Sequence, residues 1–247
     1  LPQITELDGL TDNLNIMAVK IQALIEENIR EQHNLQKSEM KALQAQITPH
    51  FLYNTFDTIV WLSEEKKTDQ VIDITRAFSS FFRISLNKGK DFLTIREEFE
   101  HVRSYLTIQK IRYRNILDYE IEYESEMADC QILKLLLQPL VENALYHGIK
   151  HKRGRGRITV KGWREDKRLC FSVQDNGIGM TEEKLAYIIQ QISGSADLED
   201  LDNIYGLYNV NKRLELYYDR ETKLEITSRY TEGTTVYFSI PEAGSNV

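Results

Sequence analysis

Cysteine is scarce: Cys130 and Cys170 are the only two in 247 residues, and neither stands at a metal-ligand spacing from a histidine or from the other. That excludes a disulfide-stapled scaffold and a structural zinc module, and it fits a reduced setting with both thiols packed in a core. Proline is scarce as well. Pro2 and Pro49 are the only two before Pro139, so long helices are unobstructed over most of the first half. No apolar run approaches the ~20 residues that span a bilayer, and the opening residues carry no signal-peptide pattern. The chain starts Leu-Pro-Gln without an initiator Met and reads as a piece of something longer. Positive charge is in deficit, with 31 Lys and Arg against 38 Asp and Glu. Nucleic acid is therefore not an expected partner, because phosphate backbones demand clustered cations. The one basic run, residues 150–157, is short and broken by Gly154 and Gly156. It reads first as a solvated turn between helix and strand, and second as a contact for phosphates or a partner. The 13 tyrosines are scattered and suggest no stacking platform for bases.

What the chain does have is helical periodicity followed by strand alternation. Leu10, Leu14, Met17, Ile21 and Leu24 step by four and three, the seam of a coiled coil. Asn28 and Glu31 interrupt it, and Met40, Leu43 and Ile47 resume in another register. Pro49 should disturb the helix. Beyond it, Leu52, Phe56 and Ile59 form the apolar stripe. At ~100° per residue His50 lies about 160° from the middle of that stripe, with Asn54 and Asp57 near the same outward side. A second helix starts at Thr68-Asp69, buries Val71, Ile74, Phe78 and Phe81, and ends at Lys88-Gly89. Two such helices are half of a four-helix bundle, which a second copy would complete. A third helix, residues 94–114, packs through Phe99, Val102, Leu106 and Ile108.

From about residue 117 the period changes to that of a strand, with Leu117, Tyr119, Ile121 and Tyr123 alternating. An apolar helix is expected at 133–146, strands at 157–163 and 168–174 around an Arg164–Lys167 turn, and helices at 181–190 and 207–218. Between those two helices runs a polar loop, and strands at 223–229 and 234–240 close the chain. The order implies an α+β fold, a sheet covered by helices on one face. His33, His101 and His151 share no ligand spacing and read as surface or packing residues.

Four segments stand out against this background. Residues 44–54 read Gln-Ala-Gln-Ile-Thr-Pro-His-Phe-Leu-Tyr-Asn, and 138–148 read Gln-Pro-Leu-Val-Glu-Asn-Ala-Leu-Tyr-His-Gly. Asp-Asn-Gly-Ile-Gly follows at 175–179 and Gly-Leu-Tyr-Asn-Val at 206–210. In that order they resemble the histidine box and the N, G1 and G2 boxes of sensor histidine kinases, and the first two are similar to the LytS/YesM-like branch. The resemblance covers residues 40–241, with 1–40 similar to the end of a HAMP linker. It implies a signalling coiled coil over 1–40, dimerisation and phosphotransfer helices over 41–115, and an ATP-binding α/β sandwich of the GHKL (Bergerat) type over 116–247.

The resemblance also implies roles. His50 is the phosphoacceptor, and a neutral imidazole nitrogen can attack the γ-phosphorus in line. Many relatives place an acid directly after this histidine, whereas this chain has Phe51. Asn54 can orient the ring without acting as a base. Asn143 is the expected Mg²⁺ ligand through its amide oxygen. His147, one turn along, could contact phosphate, and Glu142 is the nearest group to polarise the reacting atoms. Asp175 accepts from the adenine amino group, with Gly177 and Gly179 letting backbone pass near the base. Gly206 opens a helix whose N–H groups favour anions, and Thr234 belongs to the closing Gly-Thr. The function implied is autophosphorylation of His50 by ATP and Mg²⁺, then transfer to an aspartate of a response regulator receiver domain. The active form implied is a homodimer, the cytoplasmic part of a bacterial plasma-membrane sensor attached through N-terminal segments that this chain lacks. Two rivals stand beside it. A GHKL-fold ATPase would use a Glu four residues before Asn143, where this chain has Pro139. A catalytically weak scaffold would signal by contact alone, without need of the full set of motif residues.

Overall fold

The computed structural model describes residues 49–86, 91–194, 204–218 and 222–242, with the isolated positions 17, 20 and 22. The coiled-coil seam (Met17, which is exposed, excepted), His33 and the Lys88-Gly89 stop lie outside the described residues, as does most of the polar loop before Tyr205. The chain divides into two units, residues 1–56 and 57–247.

Helix α1 spans Pro49–Glu64, and its residues 49–56 belong to the first unit. Pro49 is its first residue, a place where the missing N–H has no intrahelical partner to lose. His50 is exposed, as its helical phase requires. The covered line differs from the expected stripe. Phe51, Thr55 and Leu62 are buried, Leu52 and Ile59 are half-buried, and Phe56 is 53% exposed. Thr55 takes a buried place because its hydroxyl donates to the Phe51 carbonyl at 2.7 Å, which satisfies the polar atom and leaves a methyl to pack. A purely apolar count misses that.

In the second unit, α2 (Thr68–Ser85) buries Ile74 and Phe81 against α3 (Ile95–Arg112). The Phe81 ring stacks on His101 at 4.4 Å, and Ser85 Oγ shares a hydrogen bond of 2.8 Å with His101 Nε2. Burial lowers the His101 pKa to about 4, so this is a neutral packing histidine. Thr94 caps α3 in a reciprocal box: its hydroxyl accepts from the Glu97 N–H at 3.2 Å, and the Glu97 carboxylate accepts from the Thr94 N–H at 2.9 Å. Phe99, Val102, Leu106 and Ile108 are all buried on α3, as the sequence pattern requires.

Five strands form the main sheet: β2 (Leu117–Tyr123), β4 (Gly156–Glu165), β5 (Arg168–Asp175), β6 (Glu225–Arg229) and β7 (Gly233–Pro241). Their order is β2-β4-β5-β7-β6, with β2 parallel to β4 and the other pairs antiparallel. Along β4, Ile158 and Val160 are buried while Arg157 and Lys161 are exposed, the alternation of a sheet covered on one side. On the covered side Phe99 of α3 meets Phe171, which stacks on Phe238 at 5.0 Å. The β4–β5 turn is tighter than 164–167. Asp166 and Lys167 both adopt positive φ (46° and 62°), the two-residue turn that matches strand twist.

The expected helix at 133–146 is several pieces. Gln131–Leu133 forms β3, paired antiparallel with β1 (Phe92–Thr94), and two such short strands leave no alternation to read. A loop follows, then α4 (Leu137–Asn143), a wide π turn at Ala144–Gly148 and a 3₁₀ turn at Ile149–His151. The apolar residues from Ile132 to Leu137, interrupted only by Lys134, conceal the break, which sits at Leu135 with φ of 58°. Helices α5 (Glu182–Ser193) and α6 (Tyr205–Tyr217) complete the described elements, with Thr181 capping α5. Cys170 is buried and Cys130 is half-exposed, so only the former packs as a core residue.

Candidate functional site

Helices α4, α5 and α6 stand over the ends of β5, β6 and β7 and leave a cavity of ≈ 340 Å³ between them. Its floor is apolar, made by Val173, Ile226 and Val236 from the sheet and Leu140, Ile188 and Leu207 from the helices. Among the described residues few polar groups enter it. Asn143, His147, Lys184, Asp175 and Thr234 do so. An apolar slot with a handful of convergent polar groups suits a flat aromatic ligand that carries a charged tail.

Asp175 ends β5 opposite Thr234 of β7 and is 5% exposed. Its Oδ1 accepts from the Gly177 N–H at 2.7 Å. Burial raises its pKa to about 6, against the opposing pull of the Gly177 and Thr234 backbone N–H groups and the Lys152 charge. Near neutral pH it is an ionised acceptor held in a poorly hydrated place, and a donor from a ligand would relieve it.

The glycines around Asp175 have a structural reason that differs from the expected one. A Cβ on Gly177 would stand 2.3 Å from the Gly148 carbonyl carbon, and one on Gly148 would stand 2.5 Å from Asp175 Oδ1. The Asp-x-Gly-x-Gly turn is thus seated directly on the π turn that follows α4, and the Ile178 N–H donates to the Gly148 carbonyl at 3.3 Å. At Gly179, φ of 61° is combined with a Cβ position 1.9 Å from the Arg229 carbonyl oxygen. Backbone-to-backbone approach, before any approach to a base, already demands glycine at 177 and 179. Thr234 contributes through its backbone, while its hydroxyl is paired with Ser228 at 2.9 Å.

Asn143 is the last residue of α4, and its Nδ2 is buried with no hydrogen-bond partner among the described residues. A Cβ on Gly206 would stand 3.4 Å from that Nδ2, so the α6 N-terminus and Asn143 face each other across a gap one methyl wide. A buried amide without a partner is unusual and marks a place for a ligand. His147 is exposed on the π turn. Burial of part of its ring lowers its pKa, and the Lys184 and His151 charges push the same way. Glu142 turns aside from the cavity: Gln138 Nε2 donates to its carboxylate at 2.9 Å, and burial raises its pKa.

Asn143, His147, Asp175, Gly179 and Thr234 therefore line one cavity, while Glu142, Gly177 and Gly206 stand behind or beside it. His50 and Asn54 belong to the other unit. Sequence reasoning missed Gly148, Lys184, Met180 and Ile188. Gly148 closes the same motif as Asn143 and could have been weighed with it, whereas Lys184 and Ile188 sit on an ordinary amphipathic helix with nothing to distinguish them. Among the described residues no cluster of three or more His, Cys, Asp or Glu side chains could hold a metal ion, and no helix is long and apolar enough to cross a membrane.

Residues 38–117 match the family model described as histidine kinase, and residues 128–244 match that described as histidine kinase-, DNA gyrase B- and HSP90-like ATPase. Sensor histidine kinase YesM of Bacillus subtilis is 33% identical over 243 residues, covering 98% of this chain and 40% of YesM. Sensor protein LytS of Bacillus cereus is 33% identical over 209 residues, 84% of this chain and 35% of LytS. YwpD of Bacillus subtilis is 34% identical over 203 residues, 81% of this chain and 69% of YwpD. The histidine kinase domain of the blue-light activated kinase of Erythrobacter litoralis is 16% identical, with a TM-score of 0.45 over 73% of this chain and 83% of that one. The chain spans 40% of YesM and 35% of LytS. It belongs to the sensor histidine kinases of two-component systems, in the YesM- and LytS-like family, and carries their GHKL-type ATP-binding domain.

Proposed function

We propose that the chain is a protein-histidine kinase that transfers the γ-phosphoryl group of ATP to His50 and then to an aspartate of a response regulator receiver domain. The observation that carries this reading is the convergence of Asp175 and Asn143 on one apolar-floored cavity, in a chain whose His50 is exposed on α1. Asp175, buried and ionised, accepts from the adenine amino group, and the apolar floor takes the ring. The phosphates extend toward the His147 ring, the Lys184 ammonium and the α6 N-terminus, where a cation and helix N–H donors suit an anion.

The residues present fit Mg²⁺. Asn143 has a buried amide with no protein partner on Nδ2, free to turn its oxygen to a cation that takes most ligands from phosphate and water. When bound, the ion neutralises phosphate charge. Asn143 would hold it, and His147 and Lys184 would orient the phosphate tail.

In the transfer, a ring nitrogen of His50 bonds to the γ-phosphorus while the bond from that phosphorus to the β,γ-bridging oxygen breaks, so ADP leaves and the ring proton is lost. In the second step the P–N bond breaks as a carboxylate oxygen of the receiver bonds to phosphorus. Asn54, one helical turn from His50, orients the ring. Residues 41–115 form the dimerisation and phosphotransfer part and 116–247 the catalytic part, with 1–40 as the signalling coil of a membrane-attached sensor. Val60, 57% exposed, and Trp61, 47% exposed, give α1 an apolar face that a second copy covers.

The test is chemical. Incubation with γ-labelled ATP and Mg²⁺ should label the protein with a bond that is acid-labile and alkali-stable, as a phosphoramidate is. An acid-stable label, or ATP turnover with no labelled protein, contradicts the proposal.

A further inference from the structure

The residue that precedes helix α4 at the cap position is apolar, Leu136, and has no side chain able to cap it. A buried helix start with unpaired N–H groups is costly, so its donors need partners from elsewhere. They find Glu98, a fully buried carboxylate in the first turn of α3. Oε2 accepts from the Leu135 N–H at 2.9 Å, and Oε1 accepts from Leu136 at 2.8 Å and Leu137 at 2.9 Å. Three consecutive backbone donors converge on one side chain that lies 37 to 39 residues earlier in sequence.

The other side of the same loop is held by α6. Arg213, 6% exposed, donates to the carbonyl oxygens of Leu135, at 2.8 Å, and Lys134. Leu135 thus gives its N–H to an anion from α3 and its carbonyl to a cation from α6, in a backbone conformation (φ 58°) that a leucine rarely adopts. A strained residue persists when its surroundings over-determine it. Burial opposes the charged form of both Glu98 and Arg213, and each offsets part of that for the other. The Tyr218 hydroxyl accepts from the Leu133 N–H at 2.9 Å, closing the junction from the far end of α6.

The two helices pinned here both reach the cavity. α4 carries Leu140 and Asn143 into it, and α6 carries Leu207 and starts beside Asn143 at Gly206. Asp175, in contrast, stands on β5 and is held by sheet pairing that this loop does not touch. We propose that Glu98 and Arg213 are positioning residues for the nucleotide site, acting through residues 134–137 to hold Asn143 and the α6 N-terminus in register at the phosphate end of the cavity. The proposal rests on the reading above, in which Asn143 serves Mg²⁺ and the phosphates and Asp175 serves the base. Because α3 also packs on α2 through His101, the same clamp joins the α2–α3 hairpin to the phosphate end of the pocket.

A carboxylate accepts all three N–H groups, whereas Glu98→Gln keeps the shape but turns one oxygen into a donor facing a donor. Binding of adenosine and of MgATP is measured by calorimetry, together with amide exchange read by NMR. MgATP affinity should fall about tenfold, the scale of one lost bond to a charged group. Adenosine affinity should stay within about twofold, and exchange should rise at Leu135, Leu136 and Leu137 but not at Val173 on β5. Unchanged MgATP affinity, or equal losses for both ligands with Val173 still protected, overturns the clamp. If Glu98→Gln also exposes Val173, Arg213→Lys decides, since it keeps the charge and loses the two-carbonyl grip. There, too, a loss confined to MgATP supports the proposal, and any other pattern overturns it. A wild-type chain that binds neither ligand would instead overturn the nucleotide reading on which the proposal rests.

Discussion

The carboxylate of Asp175 lies against Gly148 so closely that a methyl group on Gly148 would stand 2.5 Å from Oδ1. Gly148 has φ of −92°, which any residue can adopt, so the demand for glycine here is one of space alone. Asp175 is a side chain and can turn, whereas the backbone of the π turn cannot easily yield. Gly148→Ala should therefore displace Asp175 and weaken ATP binding by tenfold or more, while the fold loses only about 1–3 kcal/mol, the usual penalty of overpacking. Calorimetry and a denaturant titration give the two values, and intact ATP affinity in a folded variant would refute the packing argument.

Asp175 itself should show stability and binding moving in opposite directions. Its folded pKa of about 6 lies above the ordinary aspartate value of 3.8, so between the two the native state retains a proton that the unfolded state has released. Stability then falls as pH rises through that window and is flat above it. Asp175→Asn lacks the penalty. Above pH 6 it should be more stable than the parent by about 1–3 kcal/mol, a pKa unit being worth ~1.4 kcal/mol. The gain should vanish near pH 4. Its ATP affinity should drop roughly ten- to a hundred-fold with a blurred preference for adenine over guanine, from one lost bond to a charged group. Urea unfolding across pH 4–8 checks the first part and nucleotide titration the second. A variant less stable at pH 7 than at pH 4, relative to the parent, would show the sign to be wrong.

Asn143→Ala should act through the metal. Its loss should lower MgATP affinity by about tenfold, one charge-assisted contact, and leave ATP binding in excess chelator unchanged. Paired titrations with Mg²⁺ and with chelator decide it, and equal losses in both would remove Asn143 from the metal's ligands.

The helix order, the sheet strands from 117 onward and the α3 packing residues were legible because each rests on local periodicity. Asn143, His147, Asp175, Gly179 and Thr234 of the cavity lining were legible because they sit in short polar or glycine-bearing motifs, whereas Lys184 and Ile188 lie on an ordinary amphipathic helix. Other features hide for stated reasons. Thr55 packs as an apolar residue only once its hydroxyl has found the Phe51 carbonyl. The break at Leu135 lies in a mostly apolar stretch, carries no Gly, Pro or Asn to announce it, and is held by Glu98 and Arg213, which are remote in sequence. β1 and β3 are three residues each, too short to show alternation. Gly177 and Gly179 were read as letting backbone pass near a base, whereas the contacts that require glycine there are with Gly148 and Arg229.

The proposed homodimer is best probed at a residue that one chain leaves exposed. Phe78 is half-buried, its ring 4.7 Å from Phe82, so a charge there would disturb one chain as well as a pair. Val60 is 57% exposed. Val60→Glu should leave nucleotide binding intact and raise the dimer dissociation constant about tenfold or more, since burying an apolar side chain is worth about 1.5–3 kcal/mol. Sedimentation or light scattering over a dilution series gives the mass. A monomeric parent, or a variant that dimerises as the parent does, would remove α1 from the interface.

The central claim is that ATP phosphorylates His50. The most direct measurement is peptide mapping of the MgATP-treated chain under alkaline conditions, with His50→Gln as the control. The phosphoryl group should be found on the peptide holding His50 and nowhere else. The His50→Gln chain should carry none, while its ATP affinity stays within about twofold of the parent, a difference under ~0.5 kcal/mol. Phosphate on another residue, or labelling that survives in His50→Gln, would contradict the account.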